Sequence, residues 1–396
     1  MIEHKQLLDE ANQLFGFSQE IRRDLHRHPE LGFNEFRTSK KIVEVLNSLG
    51  LETQSGIAKT GVVATIEGNE PGPVILLRFD MDALPIQEMN ATDYASKTPS
   101  VMHACGHDGH VAIGLTVAKI LTAHRNELRG SIKLMFQPAE EGQGGADVMI
   151  QEGVLENPKP DYALALHIWN EKPLGWMGIS AGPMMAAADI FEVKINGKGG
   201  HGALPHQSYD PIVASAQIVL GLQTIVSRNV SPLEPAVVSI TQISGGETYN
   251  VIPAQVSMKG TIRTYSKAVR DSVVERFRLI VDKTAETHQC QAEINISVLS
   301  SAVVNSDDTT RLVQSTAAKL YPMENIDTSF RTMGSEDMAS VLELVPGCYF
   351  MVGSANAAAG LDYKHHHPRF DFDESVLPKG AAMIAGAALE IMGILR

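Results

Sequence analysis

Residues 73–85 read PVILLRFDMDALP, and this stretch decides the fold class. Its first seven residues are mostly apolar, as expected of a strand that is buried on both faces of a sheet. Two similar runs follow, SIKLMFQ at 131–137 and DYALALH at 161–167. Because helical patterns alternate with such runs from Leu51 onward, we predict an α/β fold with a mixed, mostly parallel sheet flanked by helices.

The segment between the first two runs has the pattern of an amphipathic helix. Apolar residues recur at helical spacing from Val111 to Leu121, and Asp108 is placed to cap the helix. The apolar stretch AAMIAGAALEIMGIL near the end of the sequence is too short to cross a bilayer and contains Glu390. We expect it to form a buried helix.

The pattern changes from about Asp189. Strand-like and helix-like segments then follow in the order β-α-β-β-α-β, which is typical of a ferredoxin-like module. Because α/β sequence flanks this module on both sides, we predict an inserted α+β domain at 186–298. Residues 1–185 and 299–396 would form the other domain.

Composition narrows the possible partners and compartment. The 396 residues carry a formal charge of -13, which argues against nucleic acid as a partner. The first residues lack the basic and apolar regions of a signal peptide, and no membrane span is expected. The three cysteines show no disulfide spacing, so we expect a reducing, cytoplasmic location.

Residues of metal-binding type are dense in HACGHDGH, residues 103–110. Cys105 and His107 lie two positions apart ahead of the predicted helix, so both side chains can point the same way from extended backbone. Thiolate and imidazole are good ligands for zinc-type metals. The alternative is a buried cysteine beside histidines that bind no metal.

Other potential ligands follow other predicted strands. Glu141 follows one strand, His167 ends another, and the histidine run 365–367 precedes Pro368. Ligands of open α/β sheets collect beyond the carboxyl ends of the strands. Several segments that each offer a ligand at such a position favour a metal site over the alternative.

The stretch QPAEEGQGG, residues 137–145, places two carboxylates side by side. One glutamate of the pair can bind metal while its neighbour, pointing elsewhere, stays available as a general base. One such base can accept a proton from water and later return it to the leaving nitrogen. A solvated acidic turn is the alternative, but it explains neither the flanking glycines nor the position after a buried strand.

Further polar residues could support this chemistry. Asp82, on one face with Asp80 after the first strand, could orient a ligand histidine or a metal-bound water, although helix capping is the alternative. In the inserted module, His201, Asn250 and Arg263 would suit an oxyanion and a substrate carboxylate. An arginine that simply faces solvent is the alternative for the last of these.

Taken in order, these motifs resemble those of the dinuclear metal aminoacylase and carboxypeptidase family of metallopeptidases. The chain is most similar to the amidohydrolase branch, which includes hippurate hydrolases and plant indole-acetyl-amino acid hydrolases. The resemblance runs nearly end to end through LHRHPELGFNEFRT, RFDMDALPI, HACGHDGH, FQPAEEGQGGA, GGHGALPH, YNVIP, MGSEDM and HHHPRFDFDE. HACGHD with FQPAEEG is highly specific, and the motifs of the inserted domain are moderately so.

The resemblance implies a role for each matching residue. The implied ligands of a site for two divalent metal ions are Cys105, His107, Glu141, His167 and His366. Glu140 would be the catalytic base, and Asp82 would orient the site. The inserted domain would be a lid that also forms the dimer. There, His201 would polarise the scissile carbonyl across the dimer, and Asn250 and Arg263 would hold the substrate carboxylate.

Three positions stay open. Relatives outside this branch have a histidine ligand where Asp80 stands. The motif selects His366, two residues before the proline, but His365 and His367 lie within one residue of it. The role of Glu336 in MGSEDM is undefined even by analogy.

The resemblance thus implies a metal-dependent amidohydrolase that cleaves an N-acyl L-amino acid into a carboxylic acid and a free amino acid. Benzoyl, acetyl and other acyl groups are all candidates, as are zinc, manganese, cobalt and nickel. We expect a homodimer or homotetramer. One rival is a dipeptidase or carboxypeptidase of the same fold. Another is a metal-binding protein without turnover, which would have no need of a base such as Glu140.

Overall fold

The computed structural model describes residues 2–395. Within this range its helices are α1 (His4–Gln13), α2 (Phe15–Arg27), α3 (Phe36–Ser48), α4 (His107–Ala123), α5 (Gly145–Gln151), α6 (Pro211–Thr224), α7 (Lys267–Thr287), α8 (Asp307–Leu320), α9 (Met338–Leu342) and α10 (Val376–Ile391). Its strands are β1 (Thr53–Ile57), β2 (Gly61–Glu67), β3 (Glu70–Asp80), β4 (Arg129–Gln137), β5 (Tyr162–Pro173), β6 (Met177–Gly178), β7 (Gly182–Met185), β8 (Ala187–Asn196), β9 (Gly200–His201), β10 (Ala236–Ser244), β11 (Val251–Ile252), β12 (Gln255–Thr264), β13 (Gln291–Ser300), β14 (Val303–Asn305), β15 (Ile326–Asp327) and β16 (Gly347–Ala355).

The chain divides into two compact units. The described part of the first unit comprises residues 2–184, 303–331 and 337–395. The second unit comprises residues 185–302 and 332–336. The role of the second unit as a lid or dimerisation domain stays a prediction.

An eight-stranded sheet organises the first unit, with the order β1-β2-β4-β3-β5-β16-β6-β15. The four strands β4, β3, β5 and β16 pair in parallel, while β1 with β2, β2 with β4 and β16 with β6 pair antiparallel. The apolar runs found in the sequence become β3, β4 and β5, whose central residues are buried. The predicted α/β class with a mixed, mostly parallel sheet is confirmed.

One predicted strand end is wrong. The sequence placed His167 at the end of its strand, whereas β5 continues to Pro173. The extension follows from the parallel ladder with β16, in which Ile168 pairs with Val352 and Trp169 with Gly353. His167 therefore lies within the strand, and its side chain projects from the sheet.

Helix α4 is buried along nearly its whole length and packs on β3 and β4. At Gly114 a Cβ atom would lie 2.6 Å from the ring of Phe79 and 2.8 Å from that of Phe136, so only glycine allows this close approach. The predicted cap is wrong. Gly106, with φ +95°, is the N-cap residue, because the carboxylate of Asp108 is used in a buried charge network instead.

The second unit has its own sheet and core. Its four-stranded sheet has the order β10-β12-β8-β13 with antiparallel pairs throughout, and α6 and α7 contribute to one apolar core with it. Phe191, Ile218 and Phe277 are among the residues of this core. Across residues 2–395, no helix has both the length and the apolar character needed to cross a membrane.

A buried arginine joins three segments of the first unit. Arg22, in α2, has a side chain with no solvent exposure, and its Nε lies 2.9 Å from Asp108 Oδ2 at the start of α4. Its Nη2 lies 2.7 Å from Asp371 Oδ1, and its Nη1 lies 3.2 Å from Glu374 Oε1. One guanidinium thus connects an early helix, the HACGHDGH segment and a segment near the end of the chain.

Replacing Arg22 with methionine should strongly destabilise the protein, because the buried Asp108 and Asp371 lose their arginine partner and Glu374 keeps only Arg23. We expect a loss of about 3–5 kcal/mol in the free energy of unfolding, measured by chemical denaturation. Arg23→Met is the matched control. Arg23 also binds Glu374, but its side chain is 31% exposed, so its loss should cost about 1 kcal/mol or less. Equal losses in the two variants would contradict this account.

Candidate metal centre

The predicted site residues of the first unit lie at one edge of its sheet and at the start of α4. Asp82 follows β3, the Glu140–Glu141 pair follows β4, and His167 lies in the neighbouring strand β5. The ends of β3 and β4 are level, because Asp80 pairs with Gln137. Parallel strands that end together deliver their following residues to the same place.

Potential ligand atoms converge there, and three overlapping groups contain the predicted ligands; within each group the atoms lie within 4.8 Å of one another. The groups are Cys105 with His107 and His167, Cys105 with Glu141 and His366, and His107 with Glu140 and Glu141. Because the groups share members, the structure brings all five predicted ligands and the predicted base into a single cluster. Their roles in metal binding stay predictions.

Two imidazole rings of this cluster are oriented by backbone oxygens. His107 Nδ1 lies 3.0 Å from the carbonyl oxygen of Asp82, and His167 Nδ1 lies 2.7 Å from that of Ile168. Since a carbonyl only accepts, each Nδ1 donates, and each ring turns its Nε2 toward another partner. Within residues 2–395, His107 Nε2 makes no hydrogen bond, and His167 Nε2 lies 3.5 Å from Cys105 Sγ. Nitrogens presented in this way suit metal ligation.

Asp82 contacts two of the predicted ligands. Its Oδ1 lies 3.2 Å from His107 Nδ1, and its Oδ2 accepts a hydrogen bond of 3.0 Å from the backbone N–H of Glu141. The structure therefore brings Asp82 to a predicted ligand histidine, as the first of the two sequence interpretations required. Helix capping, the alternative for Asp82, does not occur, because its carboxylate bonds to His107 and to the Glu141 amide.

The carboxylates of the cluster shift the pKa values of Cys105 and His107 in the direction that favours positive charge at the site. Burial, followed by the charges of Glu141 and Glu140, raises the pKa of the Cys105 thiol well above its ordinary value. Burial lowers the pKa of His107, but Asp80 and Asp82 outweigh it and raise that pKa to about 10. A divalent metal would compete with these protons and offset the carboxylates. A thiol, two oriented imidazoles and a carboxylate therefore form a donor set that fits divalent metal ions.

The histidine run near the end of the chain contributes one residue to this cluster. His366 Nε2 lies 3.3 Å from Glu141 Oε1, and the backbone N–H of His366 donates to Ala104, next to Cys105. His365 uses its Nε2 to donate to the carbonyl of Ile168 at 2.9 Å. His367 stacks on Tyr363 instead. Of the three candidates, His366 has the geometry of a ligand.

A second group of acidic and histidine residues is satisfied by protein partners. Asp80 accepts from Arg78 Nη1 at 2.6 Å and from His110 Nδ1 at 2.5 Å. His110 Nε2 in turn accepts from the backbone N–H of Ile168 at 2.9 Å. Both nitrogens of His110 are therefore engaged, and both carboxylate oxygens of Asp80 accept hydrogen bonds from protein groups.

The loop that carries the glutamate pair is tightly constrained. Ala139 has φ +56°, and its N–H donates to Glu35 Oε1 at 2.9 Å while its carbonyl accepts from Gly145 N–H at 3.1 Å. At Gly145 a Cβ atom would lie 1.7 Å from the carbonyl oxygen of Pro138. The glycine is therefore needed for the loop to close on itself, and this accounts for part of the glycine-rich pattern around the pair.

Sequence reasoning missed Asp337, which belongs to the MGSEDM motif. Its carboxylate accepts from Arg78 at 2.8 Å, from Gln137 at 2.8 and 2.9 Å, and from the backbone N–H of Ala146 at 2.9 Å. These partners lie in β3, in β4 and at the start of α5. Glu336, the residue of this motif that the sequence singled out, precedes Asp337 directly and belongs to the second unit.

The remaining predicted site residues lie in the second unit. His201, in β9, pairs with Val251, and Asn250 accepts through its carbonyl from Gly202 N–H at 2.8 Å. His201 and Asn250 are therefore close together on an exposed surface. Arg263, in β12, is half-buried, and its Nη1 lies 2.5 Å from Thr261 Oγ1. Burial lowers the pKa of Arg263, and its predicted contact with substrate stays a prediction.

Known proteins with a similar sequence or structure include amidohydrolases and a metallopeptidase. An N-acyl-L-amino acid amidohydrolase of Geobacillus stearothermophilus is 46% identical over 288 residues, covering 72% of this chain and 77% of that enzyme. An N-acetyl-L-cysteine deacetylase of Bacillus subtilis is 40% identical, covering 94% of this chain and 87% of that enzyme. A crystal structure from Bacillus subtilis, described as a dinuclear metal binding peptidase from the M20 family, superposes with a TM-score of 0.84. It has 36% identity and covers 96% of this chain and 99% of that one.

The family described as peptidase family M20/M25/M40 matches residues 76–390, which include every predicted ligand and the predicted base. The matched range is well over half of the chain, and the relatives above cover most of it. The fold, the donor cluster and these similarities agree, and the chain belongs to peptidase family M20/M25/M40.

Proposed function

We propose that this chain is a metal-dependent amidohydrolase that cleaves N-acyl L-amino acids into a carboxylic acid and a free L-amino acid. The observation that carries the proposal is the grouping of His107 with both Glu140 and Glu141. One carboxylate beside a histidine would suffice for binding metal. Two successive carboxylates at the same histidine would allow one to bind metal and the other to act as a base. The amidohydrolase relatives support the same reaction.

The five residues of the donor cluster, Cys105, His107, Glu141, His167 and His366, would hold two divalent metal ions. When bound, the metals would polarise the amide carbonyl and lower the pKa of water at the site. Zinc suits the thiolate and the imidazoles, while manganese, cobalt and nickel are also compatible with the donor set.

Glu140 would move the protons of the reaction. A carboxylate in the cluster can take a proton from the attacking water and return it to the leaving nitrogen. Asp82 would keep His107 and the backbone of Glu141 oriented through the hydrogen bonds described above. Glu140 would thus transfer protons, while Asp82 would orient the site, so each acid has its own role.

In the second unit, we propose that His201 stabilises the developing oxyanion and that Asn250 and Arg263 bind the substrate carboxylate. The exposure of His201 and Asn250 leaves their side chains accessible to a ligand or to another subunit. A homodimer in which His201 acts on the partner's site is the arrangement we favour. We also propose a cytoplasmic location.

A dipeptidase or carboxypeptidase of the same fold is the second candidate, since the same proton transfers cleave a peptide bond. Side-by-side assays of N-acyl amino acids and dipeptides distinguish the two candidates. We expect N-benzoyl or N-acetyl amino acids to be hydrolysed with the higher kcat/KM, on protein reloaded with each of the four metals in turn. A preference for dipeptides would overturn the proposal in favour of the peptidase, and binding of metal without turnover of either class would overturn both.

The glutamate pair should separate metal binding from catalysis. Glu140→Gln should keep its bound metal yet lose about a hundredfold or more in kcat, because a positioned base is lost. Glu141→Gln should lose metal as well as activity, because it removes a ligand. Metal analysis of both purified variants, beside their rates of N-acyl amino acid hydrolysis, gives the answer. Equal metal content together with equal activity would rule out the assignment.

Cys105 should be protected from thiol reagents only while metal is bound. As a ligand thiolate it is shielded, and chelation should expose it to labelling. The other two cysteines, Cys290 and Cys348, need to be replaced first so that their labels do not confuse the result. Labelling of Cys105 at the same rate with and without chelator would show that it is not a ligand.

The two polar residues of the second unit should affect different kinetic parameters. His201→Ala should lower kcat about a hundredfold while metal content stays the same, as for loss of one oxyanion donor. Arg263→Ala should chiefly raise KM, because a carboxylate contact is made in the ground and transition states alike. Steady-state kinetics on one N-acyl amino acid measure both effects.

Subunit mixing tests where His201 acts. Inactive His201→Ala protein mixed with inactive Glu140→Gln protein should regain part of the activity if the residue works across a dimer. Each heterodimer then contains one intact pair of His201 and Glu140. No recovery after verified subunit exchange would place His201 at the site of its own chain.

A further inference from the structure

Ala139, the residue immediately before Glu140, has a backbone conformation that L-residues disfavour. Its φ of +56° lies in the left-handed region, where the Cβ atom crowds the backbone. Such a conformation persists only where its surroundings hold it. Whatever holds Ala139 therefore also determines the direction in which the chain presents Glu140.

Glu35, from a distant part of the chain, binds the backbone of Ala139 directly. Its Oε1 accepts the Ala139 N–H at 2.9 Å, and both residues are completely buried. Gly32, in the same segment, packs against Ala139 so closely that a Cβ atom there would lie 3.1 Å from the Cα and Cβ of Ala139. The segment 32–35 thus fixes the position of Ala139 by a hydrogen bond and by direct packing.

The Glu35 carboxylate is itself fixed. Its Oε2 accepts from Thr60 Oγ1 at 2.6 Å, and its backbone carbonyl accepts from Ser39 N–H at the start of α3. Both carboxylate oxygens are used, and Glu35 is not a member of any group of potential metal ligands among the described residues. Glu35 therefore acts on the backbone of another residue rather than as a ligand.

Glu140 lies between two anchored amides. On one side is the Ala139 N–H held by Glu35, and on the other is the Glu141 N–H held by Asp82 Oδ2 at 3.0 Å. We propose that Glu35 is a positioning residue, which orients the Glu140 carboxylate for proton transfer by holding Ala139 in its left-handed conformation. This inference rests on the proposed role of Glu140 as the base.

Three variants test the proposal. Glu35→Ala should lower kcat for an N-acyl amino acid by about tenfold or more, since small displacements of a catalytic group are costly. Its KM should change by about twofold or less, because substrate contacts are untouched, and its metal content should be unchanged. Glu35→Gln should restore kcat, because the amide oxygen can accept from Ala139 while the NH₂ group can donate to Thr60.

Thr60→Val is the matched control for stability. It removes one hydrogen bond from the same buried carboxylate but leaves the bond to Ala139 intact. We expect it to lower the melting temperature, though less than Glu35→Ala, which removes both hydrogen bonds, and to retain kcat. Hydrogen exchange provides a readout that is independent of activity. The Ala139 amide should exchange faster in Glu35→Ala than in Thr60→Val or Glu35→Gln.

A double-mutant cycle with Ala139→Gly tests the mechanism. Glycine adopts the left-handed conformation without the hydrogen bond to Glu35. Glu35→Ala should therefore reduce kcat less in the Ala139→Gly background than in the native one. The same fold-loss in both backgrounds, or the same kcat in Glu35→Ala and Thr60→Val, would overturn the positioning role alone. Undiminished activity of Glu140→Gln would instead overturn the base assignment, and the inference with it.

Discussion

The ion pair between Arg78 and Asp337 fixes the ends of the two strands from which much of the candidate site extends. Arg78 also donates to Gln137 at the end of β4, and Asp337 accepts from Gln137 as well. Both charged side chains are buried, and burying such a pair often costs more free energy than its attraction returns. The effect of the Arg78–Asp337 pair is therefore better described as positioning the ends of β3 and β4 than as stabilising the fold. It keeps Asp82 and Glu140 at fixed positions relative to each other, and the arrangement of the predicted metal ligands depends on that spacing.

The sequence predicted those parts of the fold and cluster that depend on local pattern. Apolar runs identified β3, β4 and β5, and the rule that parallel strands deliver residues to one edge anticipated that Cys105 and Glu141 would meet. Contacts between distant residues left no such pattern. Arg22 is 86 positions from Asp108, and Arg78 is 259 from Asp337. The wrong cap at Asp108 has the same cause. From the sequence, an aspartate near the start of a helix is compatible both with capping that helix and with binding a distant arginine.

Charge balance connects the metal centre to the stability of the fold. Asp80 pairs with Arg78 and accepts a hydrogen bond from His110, whereas burial and the charges of Glu141 and Glu140 raise the pKa of the Cys105 thiol, and these charges would be offset further by positive charge. Bound divalent ions would supply that charge. Binding to the folded state alone stabilises that state in proportion to the logarithm of metal concentration. Metal would therefore contribute to folding of the first unit as well as to chemistry.

The threading of the first unit has a consequence for synthesis on the ribosome. Strand β16 lies between β5 and β6, His366 donates its N–H to Ala104, and Asp371 binds Arg22. All three elements come from the last 50 or so residues of the chain. The first unit thus cannot complete its sheet or gather its predicted ligands until residues 347–371 have been synthesised, whereas the core of the second unit is made of residues that emerge earlier. The second unit of the nascent chain can therefore fold before the predicted ligands of the metal centre are all available.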